Sequence, residues 1–328
     1  MRFFLVAVLS CLALPAVADV QAVLQDHVQP RIDRFAQETD ELAEAASADC
    51  TATGLRPAYQ DAFDAWMGVS HLSFGPLEDE GRMLAIAFWP DSRGMVARAL
   101  SSLVADQDQI VRTPEGFAEV SVAARGLFAL ERLLYDDDFS GYGAQEYECT
   151  LVRAIARDLA RMAAAVNRDW DDFAKTMLTA GQGGNTRFLT EREPRLALYT
   201  ALMTGLEFTE DQRLGRPLGT FERPRPNRAE ARRSGRSLRN VVLSLEALRD
   251  LARTLSATPI PRSEAAFDEA LETARRIETP DLASVADPST RIRVEALQQR
   301  IGDIRETVAA EIGAALGLSA GFNSMDGD

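Results

Sequence analysis

Apolar residues recur along this chain in steps of three and four nearly everywhere. Leu24, Val28, Ile32 and Phe35 mark one face of a first helix, and Leu151, Ile155, Leu159, Met162 and Val166 mark a second. Leu238, Val241, Val242, Leu245, Leu248 and Leu255 mark a third, while Val294, Leu297, Ile301, Ile304, Val308, Ile312 and Leu316 trace the clearest stripe. A stripe of that period is the buried face of an amphipathic helix, and several such faces bury one another in a bundle. No comparable run of strict alternation with β-branched residues occurs, so the pattern predicts an all-α chain.

The breaks are equally legible. Phe74-Gly75-Pro76 ends one helix, and Trp89-Pro90-Asp91-Ser92 places a stop before two residues able to cap the next helix, with Trp89 packed as core. Gly181-Gln182-Gly183-Gly184-Asn185 is the most flexible stretch, and Leu214 to Asn227, with three prolines, is a second long connection. The economical architecture is two up-and-down helical bundle domains, 19–180 and 188–328, joined by a linker at 181–187. A single elongated bundle is the alternative, because a length of 328 residues does not fix domain count.

Residues 1–18, Met-Arg-Phe-Phe-Leu-Val-Ala-Val-Leu-Ser-Cys-Leu-Ala-Leu-Pro-Ala-Val-Ala, have the anatomy of a secretory signal peptide, with cleavage before Asp19. Anchoring as a lipoprotein through Cys11 is the rival, although Val8-Leu9-Ser10-Cys11 is a poor lipobox. The expected location is the periplasm. No later stretch reaches the roughly 18 uninterrupted apolar residues of a membrane helix, so an integral membrane protein is not expected. Export leaves Cys50 and Cys149, an even pair that reads as a disulfide in an oxidising compartment; two unpaired buried thiols are the alternative.

Charge narrows the partners. The chain carries 36 Lys+Arg against 50 Asp+Glu, a formal net charge of -14. Only Lys175 among the basic residues is lysine. An acidic protein lacks the basic face that releases counterions from phosphates, so nucleic acid is not the expected partner. The two histidines exclude any site that needs three imidazoles, and HExxH, GxSxG, GKS/GKT and CxxC are absent.

Glu131 lies one turn beyond Leu127 on a largely apolar helix, close to Arg125 and Arg132. A buried carboxylate there needs a cation or hydrogen-bond donors, so it is either a metal or substrate carboxylate or half of a structural ion pair, and the residues alone favour the ion pair. Arg233-Ser234-Gly235-Arg236 enters the third helix with arginines that could clamp a carboxylate or pair on an acidic surface. Asp136, Asp138, Ser140 and Gly141 begin like a calcium loop, but its twelfth position is Tyr147. His27 and His71 read as satisfied, partly buried histidines.

Taken in order, these pieces resemble the imelysin-like family of bacterial exported proteins. The matching stretches are Phe63-Asp64-Ala65-Trp66, Phe74-Gly75-Pro76, Arg82 with Phe88-Trp89-Pro90-Asp91, Arg125-Gly126 through Glu131 with Leu133-Leu134, the Arg233 to Asn240 segment, and the terminal Gly321-Phe322-Asn323-Ser324-Met325-Asp326-Gly327-Asp328. The resemblance implies two all-helical bundles, a periplasmic or cell-surface location and a frequent association with iron uptake, in a family also classed as metallopeptidases. It implies a ligand-binding cleft built from Arg82, Trp89, Asp91, Arg125, Gly126, Phe128, Arg236, Asn323 and Asp326, with Glu131 as a candidate metal ligand. The family's Gly-x-His-x-x-Glu hallmark falls on Gly126, Phe128 and Glu131, and a phenyl ring can neither ligate a metal nor shuttle a proton. The expected function is therefore non-catalytic binding of a metal or metal chelate, iron or another hard cation, together with membrane components of iron uptake. An exported metallopeptidase is the first alternative. The second is an interaction module whose former site has decayed, marked by a cleft that Phe128 and its apolar neighbours fill without leaving a cavity.

Overall fold

The computed structural model describes residues 19–317. The signal-peptide reading, Cys11, Asn323 and Asp326 lie outside the described residues. Among the described residues the chain is helical throughout, with one isolated bridge between Thr220 and Arg223 and no strand.

A short turn, Val20–Ala22, and a π-helical stretch, Val23–Val28, lead into α1 (Gln29–Ala48), whose Ile32, Phe35, Leu42 and Ala46 are buried. Next comes α2 (Ala52–Val69), where the Thr51 side chain accepts from the Gly54 amide and meets one of the donors that a helix start leaves open. Short helices α3 (Arg82–Ile86), α4 (Met95–Asp106) and α5 (Pro114–Ala118) precede α6 (Gly126–Tyr135) and the 32-residue α7 (Tyr147–Leu178). The chain then forms α8 (Arg192–Glu207), widens into a π-helical stretch at Phe208–Gly215, and crosses to α9 (Ser237–Leu255), α10 (Pro261–Arg275) and α11 (Pro288–Val308). The proline-containing connection therefore begins inside a helix. The stripe that ends at Leu316 leaves regular α geometry at a further π-helical stretch, Ala309–Gly313.

Packing follows the stripes. In the first half α1 lies between α2 and α7, and α6 fills the space beside both. In the second half α10 lies on α11, and α11 also packs on the Phe208–Gly215 stretch. Helix α9 touches α8 and α10 and also lies along α2, which joins the two sets of helices. The buried apolar side chains form one continuous cluster across that junction.

Cys50 and Cys149 form a disulfide with a Cα–Cα distance of 5.3 Å, and the Tyr142 hydroxyl donates to the Cys50 carbonyl. The bond ties the α1–α2 turn to the first turn of α7 across 99 positions. By the loop-entropy model such a closure contributes roughly 4–5 kcal/mol. Replacing both cysteines by serine is expected to lower the unfolding free energy by about that amount in denaturant titration. Alkylation of the native protein without reductant should label no thiol.

Candidate ligand-binding site

Helix α6 begins where no residue but glycine fits. Gly126 has φ +68°, and a Cβ built there would stand 2.2 Å from the carbonyl oxygens of both Ala85 and Ile86. Steric exclusion therefore lets α6 start in contact with α3, and the rest of α6 is oriented from that contact. Five residues on, Glu131 is 3% exposed. Its Oε1 accepts from the Ser234 amide (3.1 Å) and from the Ser234 hydroxyl (3.0 Å). The ion pair favoured from the sequence does not form: Arg125 is a bidentate partner of Asp158, and Arg132 binds Asp136 at 2.5 Å. Burial pushes the Glu131 carboxyl above its ordinary value, against the hydrogen bonds from Ser234 and the positive charge of Arg233.

Glu131 lines an open pocket of about 120 Å³ together with Trp89, Asp91, Phe128, Arg132, Arg216, Arg228 and Arg233. The lining holds four arginines against two carboxylates. Asp136 matches Arg132 and Arg233, at 2.5 and 2.6 Å. Asp91 is engaged in the backbone: its two oxygens accept from the amides of Met95 and Val96, which open α4. Among the described residues neither Arg216 nor Arg228 has an ion-pair partner, and the Arg216 Nη1 donates only to the uncharged Gln212 side chain, at 3.4 Å. The Arg216 Nε is buried without a hydrogen bond, and burial followed by the nearby Arg228 charge loosens its hold on its proton. Two uncompensated guanidinium groups at one pocket make it a place for an anion.

The other arginines singled out in the sequence are engaged elsewhere and line neither this pocket nor the next. Arg82 reaches Asp169 at 2.5 Å and the Pro76 carbonyl. Arg125 is held by Asp158 and the Ala118 carbonyl. Arg236, fully buried, donates to Asp64, Asn240 and both oxygens of Gln60, with its guanidinium over the Phe63 ring.

Phe128 is 6% exposed, edge-on to Phe63 and stacked on Trp89 at an interplanar angle of 16°. These two rings divide the pocket from a second cavity of about 280 Å³, lined by Trp66, His71, Met83, Phe208, Arg213 and Glu230 among others. Phe128 thus does not fill the cleft, since space remains on both of its sides. Among the described residues, no three of His, Cys, Asp and Glu come together in a group that could hold a metal.

The family model for imelysin, a peptidase family, matches residues 28–308. The chain belongs to the imelysin family. Its fold is similar to that of an imelysin-like protein from Psychrobacter arcticum 273-4, with a TM-score of 0.75 and 18% identity over 92% of this chain and 96% of that one. It is also similar to a "putative iron-regulated protein A precursor" from Parabacteroides distasonis ATCC 8503, with a TM-score of 0.69 and 14% identity over 90% and 94% of the two chains. No curated protein matches the chain. No helix among the described residues is long and apolar enough to cross a membrane.

Sequence reasoning overlooked Ser234 as the donor to Glu131, the cavity arginines Arg216 and Arg228, and the buried pair Arg213–Glu230 at 2.8 Å. Of these only Arg216 had a signal, since it falls in the proline-containing connection that leads back to the site.

Two outcomes follow. Gly126→Ala is expected to destabilise the fold by about 3 kcal/mol or more, because the methyl group collides with backbone rather than with a movable side chain; thermal unfolding reads this directly. Because the Glu131 carboxyl is raised, the folded chain keeps a proton that the unfolded chain releases above the ordinary value of 4.5. This group therefore removes stability as pH climbs from that value through the raised one. Glu131→Gln keeps an acceptor for Ser234 and is expected to flatten that part of the stability–pH curve, with stability at pH 7 equal to or above that of the parent.

Proposed function

We propose that this member of the imelysin family is an exported, non-catalytic binding protein of the periplasm. Its ligand is an anionic metal chelate, and it serves iron acquisition alongside membrane components of iron uptake. The observation that carries the reading is the pair Arg216 and Arg228, without an ion-pair partner among the described residues, at the pocket that Glu131 also lines. A bare cation suits this lining poorly, because Asp91 is taken up by helix amides and positive charge dominates. A chelate brings its own oxygen ligands and presents the spare carboxylates that guanidinium forks recognise in pairs. At about 120 Å³ the pocket would seat a carboxylate arm and leave the body of the chelate outside. The name of the Parabacteroides neighbour, "putative iron-regulated protein A precursor", agrees with iron as the metal.

Peptidase chemistry would need several protein ligands on a metal and an open position for water. In this reading Phe128 stands where the family motif carries histidine, which leaves Glu131 without its neighbouring ligand.

Calorimetric titration of the chain from Asp19 onward with iron(III) citrate tests the proposal. Binding is expected, and Arg216→Ala with Arg228→Ala should weaken it about tenfold or more, the equivalent of one lost charge-assisted contact. Glu131→Gln should change affinity less than the arginine pair does. Absence of heat, or an affinity indifferent to both arginines, would overturn the reading.

A further inference from the structure

Ala154, Arg157, Asp158 and Arg161 fall at i, i+3, i+4 and i+7 of α7 and so share one face of that helix. The neighbours of α7 here are α5 and the 3₁₀ turn before it, Gln109–Arg112, which contribute Phe117 and Val111. Together these residues line a pocket of about 180 Å³. Val111, Phe117 and Ala154 are buried and give it an apolar floor, while Arg157 and Arg161 are exposed. The pocket shares no lining residue with the two cavities beside Phe128.

Its one carboxylate is already answered. Asp158 is buried, with Oδ2 accepting from the Arg125 Nε at 2.8 Å and Oδ1 from the Arg125 Nη2 at 3.2 Å and the Arg161 Nη2 at 2.7 Å. Two guanidinium groups on one carboxylate leave a surplus of positive charge, and Asp158 has no oxygen to spare for a cation. Arg157 adds to that surplus, since among the described residues it has neither an ion pair nor a hydrogen bond. In a chain of net charge -14, positive charge in excess beside an apolar floor is a local exception.

We propose that this pocket is a binding site for a small carboxylate with a single-ring or branched apolar body, its carboxylate on Arg157 and Arg161 and its body on Val111, Phe117 and Ala154. An apolar cavity of about 150 Å³ accommodates a benzene ring, so this pocket has room for one ring and not for two. Guanidinium forks match a carboxylate in geometry as well as charge. A neutral molecule of the same shape leaves the surplus charge unanswered, and a bare small anion removes none of the floor from water. The site is independent of the chelate reading, since it uses neither Arg216 nor Arg228.

The test titrates the full mature chain with phenylacetate, with phenylacetamide, which has nearly the same shape but no charge, and with acetate, which has the charge but no ring; NMR reads the binding. Phenylacetate should bind at least about fivefold more tightly than either of the others. Arg157→Gln removes a charge that supports nothing else in the fold, and it should weaken phenylacetate about threefold or more while leaving thermal unfolding unchanged. A carboxylate could also enter the first pocket, so the same titration is made on Arg216→Ala with Arg228→Ala, where phenylacetate affinity should persist. No binding of phenylacetate at millimolar concentration, equal affinity for the amide or for acetate, or an affinity that follows Arg216 and Arg228 and ignores Arg157 would each overturn the proposal.

Discussion

The guanidinium of Arg236 is the point on which the middle of this molecule depends. It is fully buried, and a buried charge is tolerated only when its donors are met. Here Asn240, Asp64 and both oxygens of Gln60 meet them, while Phe63 offers its ring face. Arg239 holds the same Asp64, and although burial pushes that carboxyl up, the two guanidinium groups keep it below its usual value. The network fastens the start of α9 to α2 and so joins the two sets of helices with polar contacts inside an apolar junction. The segment before it, Ala229 to Gly235, is fixed in consequence. From that segment Ser234 reaches Glu131 and Glu230 reaches Arg213, so one buried arginine positions the partners on both sides of Phe128.

The two cavities share a wall and differ in charge. On one side of Trp89 and Phe128, guanidinium groups outnumber carboxylates and two of them have no ion-pair partner among the described residues. On the other side, an arginine and a glutamate cancel and the remaining lining is mostly aromatic or apolar. An anion is stabilised by the first and excluded from the second by desolvation, because an ion entering an apolar space without a counter-charge loses its hydration for nothing. A phenyl ring at position 128 is what makes this partition, since it stacks on Trp89 and offers no polar atom to either side.

Much of the fold was legible because hydrophobic period reports helix faces directly. Leu151, Ile155, Leu159, Met162 and Val166 are all buried, and so are Val294, Leu297, Ile301, Ile304 and Val308. The Cys50–Cys149 bond and the use of Asp91 at a helix start were equally readable, from cysteine parity and capping chemistry. The π-helical stretches were not, because a widened turn changes which residue bonds to which without altering composition. The site was less legible than the fold. Arg82, Arg125 and Arg236 have the same chemistry as Arg216 and Arg228, and only a carboxylate partner distinguishes the first three among the described residues. Those partners, Asp169, Asp158 and Asp64, lie 87, 33 and 172 positions away in sequence, beyond the reach of any local pattern. The same distance problem hid the meeting of His27 with His71, whose Nε2 atoms stand 2.9 Å apart.

In the proposed function Arg216 and Arg228, not a cluster of metal-ligating side chains, recognise the ligand. A crystal structure of the mature protein soaked with iron(III) citrate tests it most directly, with the anomalous signal of iron locating the metal. Citrate carboxylates are expected on Arg216 and Arg228, with iron bound by citrate oxygens at the mouth of the pocket. Iron held by protein carboxylates away from these arginines, or an anomalous map without a peak at this pocket, would contradict it.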